Sequence, residues 1–147
     1  NDLNALEDVL KDGDVALFMA ETIPATFGFP MPDADYYRGV RDLCDRYGTL
    51  FLVDEVQTGL GRSGKAWAIE NYGVEPDMMS IGKGLGGGLY PMGALMITKE
   101  AGALRPWTCP PLLKRSPTSP QLRAVCAGGL RTFSSVTPSC SISASLG

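Results

Sequence analysis

Lys83 stands inside the uncharged, glycine-rich stretch Ser80-Ile81-Gly82-Lys83-Gly84-Leu85-Gly86-Gly87-Gly88. A surface lysine in a flexible loop is one reading, but solvated lysines normally sit among other polar groups. Gly82 and Gly84 remove side-chain bulk on both sides, and Gly86–Gly88 let the backbone approach a ligand closely. An amine so placed serves as a nucleophile when burial or a nearby cation lowers its pKa, because only the neutral form attacks. Asp54 is the second candidate, the acid that closes the apolar run Leu50-Phe51-Leu52-Val53. A carboxylate there lies at the carboxyl edge of a sheet, where α/β folds bind ligands. Taken alone, it reads first as an aspartate that ends a strand and caps the next turn.

The glycines between these two residues allow nucleotide readings. Gly59-Leu60-Gly61-Arg62-Ser63-Gly64 matches the dinucleotide fingerprint GxGxxG, which needs its first glycine straight after a strand. Here Asp54 to Thr58 intervene, and the helix that follows is short. Gly59 to Lys65 also fits GxxxxGK, yet Ala66 replaces the hydroxyl that binds magnesium, and the acid-ended strand comes just before the loop. The sequence contains no histidine, which excludes a Ser-His-Asp hydrolase or a zincin within this chain. Cys44, Cys109, Cys126 and Cys140 form no CxxC pair, so reduced thiols are expected rather than a zinc site or a disulfide framework.

These candidates must be held by a framework, and the first hundred residues supply one. Val15–Met19 reads as a buried strand, after which Pro24, Gly28, Pro30 and Pro32 break the chain. Asp33 or Asp35 then caps a helix that runs to about Tyr47. Its apolar positions Tyr36, Tyr37, Val40, Leu43, Cys44 and Tyr47 recur at helical spacing, and Gly48 ends it. Leu50–Val53 is a continuous apolar run of the kind a buried parallel strand shows. A short helix is expected from Lys65 to Tyr72, packing Trp67 and Tyr72 on the sheet. Strands follow at Met78–Ile81 and Gly93–Thr98. The alternation gives an α/β fold with a parallel or mostly parallel sheet and helices on its faces.

The series Asp54-Glu55-Val56-Gln57-Thr58-Gly59-Leu60-Gly61-Arg62-Ser63-Gly64, then Pro76-Asp77, then Ser80 to Gly88, closely resembles the class III pyridoxal-phosphate aminotransferases. The resemblance covers about residues 14 to 100, and its two main motifs agree in order and in the 29-residue step from Asp54 to Lys83. It implies part of a fold-type-I PLP-dependent transferase large domain, with pyridoxal 5'-phosphate as cofactor. That cofactor draws electrons best when its ring nitrogen is protonated, so a carboxylate must face the nitrogen. The resemblance gives this contact to Asp54. It gives Lys83 the Schiff base and the later proton transfer between substrate carbon and cofactor.

It also sets Val56 against a ring face, Gln57 near the phenolic oxygen, and Glu21 near the substrate end. The family motif at that last place reads Glu-Pro, whereas here Thr22 follows Glu21. Glu55 is expected to bond loop amides, and Arg62 to brace the loop. The phosphate cradle is expected before Asn1, and a further threonine from a partner subunit in the region that residues 105–147 replace. The implied reaction moves an amino group from an amine or ω-amino acid to a 2-oxo acid in a cytoplasmic homodimer or higher homo-oligomer. Aminomutases and phospho-lyases share the cofactor site and stay open as alternatives, as does a catalytically inactive truncated product.

Charge divides the chain into a body, residues 1–104, and a tail, residues 105–147. The body holds sixteen acids and eight bases, the tail five bases and no acid, with eight serines and six prolines. Such composition seldom packs a core, and it is too poor in Lys and Arg for a nucleic-acid arm. No apolar run approaches the ~20 residues of a membrane helix. The chain opens on Asn1, not Met, and reads as processed or as a fragment. Its tail reads as non-native sequence translated out of frame from about Arg105, with a genuine disordered tail as the alternative. Sequencing the source DNA is expected to reveal a broken frame near Arg105, and an uninterrupted family-like frame through that point would refute the reading.

Overall fold

The computed structural model describes residues 1–103, 123–126 and 133–134. Four parallel strands form the centre of a sheet: β1 (Val15–Glu21), β2 (Leu50–Asp54), β3 (Met78–Ile81) and β5 (Arg123–Cys126). β4 (Ala94–Ile97) runs antiparallel on β3, and β6 (Phe133–Ser134) antiparallel on β5, so the order is β4-β3-β2-β1-β5-β6. The aperiodic segment after residue 104 therefore contributes two strands, each too short for a period to show in sequence. The rest of that segment, with Cys109 and Cys140, lies outside the described residues.

Strand alternation sorts the sheet into two faces. Phe18, Ala20, Phe51, Val53, Met79 and Ile81 point to one face and pack with α1 (Leu3–Leu10), α2 (Tyr36–Tyr47) and the 3-10 turn Ala68–Tyr72. Leu6 and Leu10 come from α1, and Tyr37, Val40, Leu43 and Cys44 from α2. The sequence reading did not anticipate α1, an eight-residue helix held at its start by Asp2, whose carboxylate accepts from the Ala5 amide at 2.9 Å. α2 begins at Tyr36 with Asp35 at its N-cap position but no side-chain cap bond, and ends at Gly48 in the left-handed conformation. The expected helix from Lys65 is shorter: Lys65 to Trp67 are bends, and the 3-10 turn starts only at Ala68. The side chain of the residue that follows β2, described below, receives the first amides of that turn.

Asp77 pins the helical layer to the sheet. Its carboxylate accepts from the Phe51 amide at 2.7 Å and from the Arg41 guanidinium at 2.8 Å. Arg41 also pairs with Asp45 at 2.7 Å and lies 5.7 Å above the Phe51 ring. Around β4 the surface is apolar, with Leu89, Tyr90, Met92, Leu95, Met96 and Ile97 all exposed. A short α3 (Lys99–Ala103) follows.

Cys44 is fully buried under α2, and burial raises its thiol pKa from the ordinary 9.0 to about 12. Below pH ~9 the thiol is neutral folded and unfolded, and it adds no pH dependence. Above that, the unfolded chain loses the proton while the folded chain keeps it, so stability falls between the two pKa values. Urea titrations across alkaline pH should show this decline. In Cys44→Ala it should begin later, near the ordinary tyrosine value of 10.0, because Tyr37 is raised in the same direction by burial. An unchanged alkaline limb in the variant would contradict the assignment.

Candidate active site

Register brings the polar residues to one edge of the sheet. Glu21 is the Cα partner of Asp54, and Asp54 of Ser80, so the three form a row at the carboxyl ends of β1, β2 and β3. Row partners in parallel strands share a face, here the one opposite the helices. Asp54 Oδ1 accepts from the Val56 amide at 2.8 Å, and its second oxygen carries no hydrogen bond among the described residues. Ser80 Oγ, on the same row, is a buried hydroxyl without a partner among the described residues. Lys83 opens the 3-10 turn Lys83–Gly86 three residues beyond Ser80, and its amine donates to Gln57 Oε1. Asp54, Val56, Gln57 and Lys83 therefore meet at one sheet edge. The Lys83 side chain is exposed there, and its backbone φ of 44° lies in the left-handed region, a strained place for a non-glycine residue.

Glycines lie close to neighbouring side chains where this edge closes. A Cβ on Gly82 would lie 3.4 Å from both Val56 methyls, and one on Gly84 would lie 3.1 Å from Leu60 Cδ1. Gly59 serves packing instead of phosphate: a Cβ there would meet Glu55 O at 2.8 Å and the Trp67 ring at 3.0 Å. Gly61 and Gly64 close a turn through Gly61 N to Ala66 O and Gly64 N to Gly61 O, at 3.3 and 3.1 Å. Amides engaged in this way are not aimed at a nucleotide phosphate.

Glu55 follows Asp54 and turns the other way, into the helix side, where it is 1% exposed. Its carboxylate accepts from Thr22 Oγ1 at 2.8 Å, Thr58 Oγ1 at 2.5 Å, Ala68 N at 3.1 Å and Ile69 N at 2.8 Å. The last two are the first amides of the Ala68–Tyr72 turn, donors that have no partner within the turn itself. The Glu55 amide donates to Ser80 O at 2.9 Å, linking the same residue to β3.

Glu21 turns its carboxylate onto the 3-10 turn Ala25–Phe27, accepting from Ala25 N at 2.8 Å and Thr26 Oγ1 at 3.3 Å. Its main-chain carbonyl, with that of Thr22, accepts from the Tyr37 hydroxyl at 2.9 and 3.0 Å. Sequence reasoning took Tyr37 only as helix core and missed this tie. It also passed over Ser80 and the buried side of Thr22. A threonine where the resembling motif has proline was the one available signal. Arg62 is exposed on the turn. Among the described residues, no cluster could hold a metal ion, and no helix is long and apolar enough to cross a membrane.

Glu55 has four donors and, among the described residues, no ion pair. Glu55→Gln keeps the shape but turns an amide NH2 toward groups that donate, so it should cost about 2–4 kcal/mol in chemical unfolding. A loss below about 0.5 kcal/mol, the level of an ordinary surface change, would contradict the account.

A sequence profile described as aminotransferase class-III matches residues 1–106. An uncharacterized aminotransferase of Archaeoglobus fulgidus is 54% identical over 93 residues, covering 63% of this chain and 22% of that protein. The mitochondrial ornithine aminotransferase of Rattus norvegicus is 49% identical over 96 residues, covering 65% and 22%. The structure of Plasmodium falciparum ornithine delta-aminotransferase matches with a TM-score of 0.68 and 42% identity over 71% of this chain and 27% of that one. An ornithine aminotransferase structure from Toxoplasma gondii, described with partial PLP occupancy at its active site, matches with a TM-score of 0.67 and 36% identity, covering 76% and 26%. The chain thus spans about a quarter of the length of the relatives it matches. With a sheet edge that joins Asp54, Gln57 and Lys83, and a family match over its first 106 residues, this chain belongs to the class III aminotransferases, a pyridoxal-phosphate-dependent family.

Proposed function

We propose that this chain is the cofactor-binding part of a transaminase that moves an amino group from an amine or ω-amino acid to a 2-oxo acid. The observation that carries the reading is the shared sheet edge, where Lys83 reaches Gln57 and Asp54 keeps one carboxylate oxygen free. Pyridoxal 5'-phosphate, when bound, supplies the electron sink for the substrate carbon. The residues fit that group: among the described residues Asp54 has an unbonded acceptor oxygen and Ser80 an unpartnered hydroxyl, and glycines flank Lys83.

Asp54 would hold a proton on the ring nitrogen through its free oxygen. Val56, whose methyls stand over Gly82, would pack on a ring face, and Gln57 would meet the phenolic oxygen. Lys83 would provide the attaching amine and then carry the proton. Glu21 would act at the substrate end, and the present engagement of its carboxylate with Ala25 and Thr26 means it must first turn away from them. Aminomutase or phospho-lyase chemistry would use the same edge.

The activity is proposed for the longer protein, since three quarters of the relatives' length lies beyond this stretch. The same limit supports the second reading, a catalytically inactive product that keeps the cofactor edge. We read residues 105–147 as non-native sequence, and the exposed apolar surface around β4 as the face that a homodimeric parent covers.

Incubating the full chain with pyridoxal 5'-phosphate and reducing with borohydride should leave a pyridoxyl group on Lys83, located by peptide mass spectrometry. Lys83→Ala should abolish the label, and Asp54→Asn should weaken it by about tenfold or more, the scale of one hydrogen bond to a charged group. Labelling of Lys65 or Lys99 to the same extent as Lys83 would reject the site.

A further inference from the structure

Thr22 stands where the resembling motif carries proline, and the structure shows what the exchange adds. The side chain is fully buried, at 0% exposure. Its hydroxyl donates to Glu55 Oε1 at 2.8 Å, and its amide donates to Asp54 O at 3.4 Å. Proline has neither the hydroxyl nor the N–H. A proline chain would therefore leave Glu55 one donor short and β1 without this last link to β2. The bonds also sit at a junction. Glu21 immediately precedes Thr22, Asp54 immediately precedes Glu55, and Val56, whose amide bonds the Asp54 carboxylate, immediately follows it.

We propose that Thr22 is a positioning residue of the cofactor edge. Its hydroxyl and amide couple the end of β1 to Glu55 and Asp54, and so set the turn that carries Val56 and Gln57. The inference rests on the reading of Asp54 and Lys83 as cofactor residues. Glu55 Oε1 accepts from the Thr22 hydroxyl and the Ile69 amide, and Oε2 from the Thr58 hydroxyl and the Ala68 amide, so each oxygen is held by one threonine and one amide of the Ala68–Tyr72 turn. With the Thr22 hydroxyl removed, Oε1 keeps only the Ile69 amide, and the carboxylate is no longer tied to the end of β1. The residue after it, Val56, loses its fixed approach to Asp54.

Thr22→Val removes the hydroxyl while keeping shape and amide, and Thr22→Ser restores the hydroxyl. Amide hydrogen exchange of the cofactor-free full chain, followed by NMR, is one readout, and the apparent affinity for pyridoxal 5'-phosphate from reduction-trapped Lys83 is the other. In Thr22→Val the amides of Val56, Ala68 and Ile69 should exchange about tenfold faster and the affinity should fall about as much, while the α2 amides of Leu43 and Cys44 stay protected. Thr22→Ser should return both readouts toward the unmodified chain. Unchanged exchange at Val56, an equal loss throughout α2, or altered exchange with unchanged affinity would each overturn the role of Thr22. A local exchange change in a chain that never labels Lys83 would instead overturn the cofactor reading, and the functional role of Thr22 with it.

Discussion

A carboxylate taken out of water must be solvated by the protein, and at Glu55 that requirement organises the carboxyl edge of the sheet. The cost of burying an unpaired carboxylate is several kcal/mol, and here hydroxyls and amides from three parts of the chain offset it. Each donor is thereby fixed in place. Thr22 marks the end of β1, Thr58 the turn after β2, and Ala68 and Ile69 the start of the 3-10 turn that covers the sheet. Because the demand comes from one anion, these segments cannot shift independently. The edge behaves as one unit, and it is this unit that presents Asp54.

Strand alternation separates the acid buried on the helix side from the one proposed to meet the cofactor. Asp54 and Glu55 are neighbours in sequence but face opposite sides of the sheet, so their burial and bonding differ completely. Glu55 spends every bond on the protein, whereas Asp54 spends one oxygen on Val56 and leaves the other open. The same division holds on β1. Thr22 is buried on the helix side, while Glu21 faces the row of Asp54 and Ser80. Lys83 is brought to this row by a short excursion from β3. It is set down in a left-handed backbone conformation with glycine on either side, where a larger neighbour would press on Val56 or Leu60.

Much of this framework was legible in the sequence. Apolar runs marked β1 and β2, the stretch after Pro76-Asp77 marked the brief β3, and the helical spacing from Tyr36 to Tyr47 marked α2 to the residue at its C-terminal glycine. The reading of Glu55 as an amide-bonding residue matches its contacts. What escaped was set by tertiary partners. The 3-10 turn begins at Ala68, where the distant Glu55 carboxylate receives its first two amides and Glu70 receives the Trp67 amide at 2.9 Å; only the second of these ties is local in sequence. α1 is too short for its period to stand out, and its start depends on one Asp2 cap. The hydroxyl of Tyr37 looked like part of a core ring until the carbonyls of Glu21 and Thr22 came within reach of it. Thr22 was visible only as a departure from a motif, and its purpose required knowing what lay opposite.

The central claim is that the free oxygen of Asp54 and the amine of Lys83 serve one aromatic ring. Nitrogen-15 NMR of ring-labelled pyridoxal 5'-phosphate bound to the full chain addresses it directly, because the ring-nitrogen shift reports protonation. The account predicts a protonated ring nitrogen near neutral pH in the unmodified chain and a deprotonated one in Asp54→Ala. An identical ring-nitrogen signal in the two proteins, with Lys83 still carrying the cofactor in both, would contradict it.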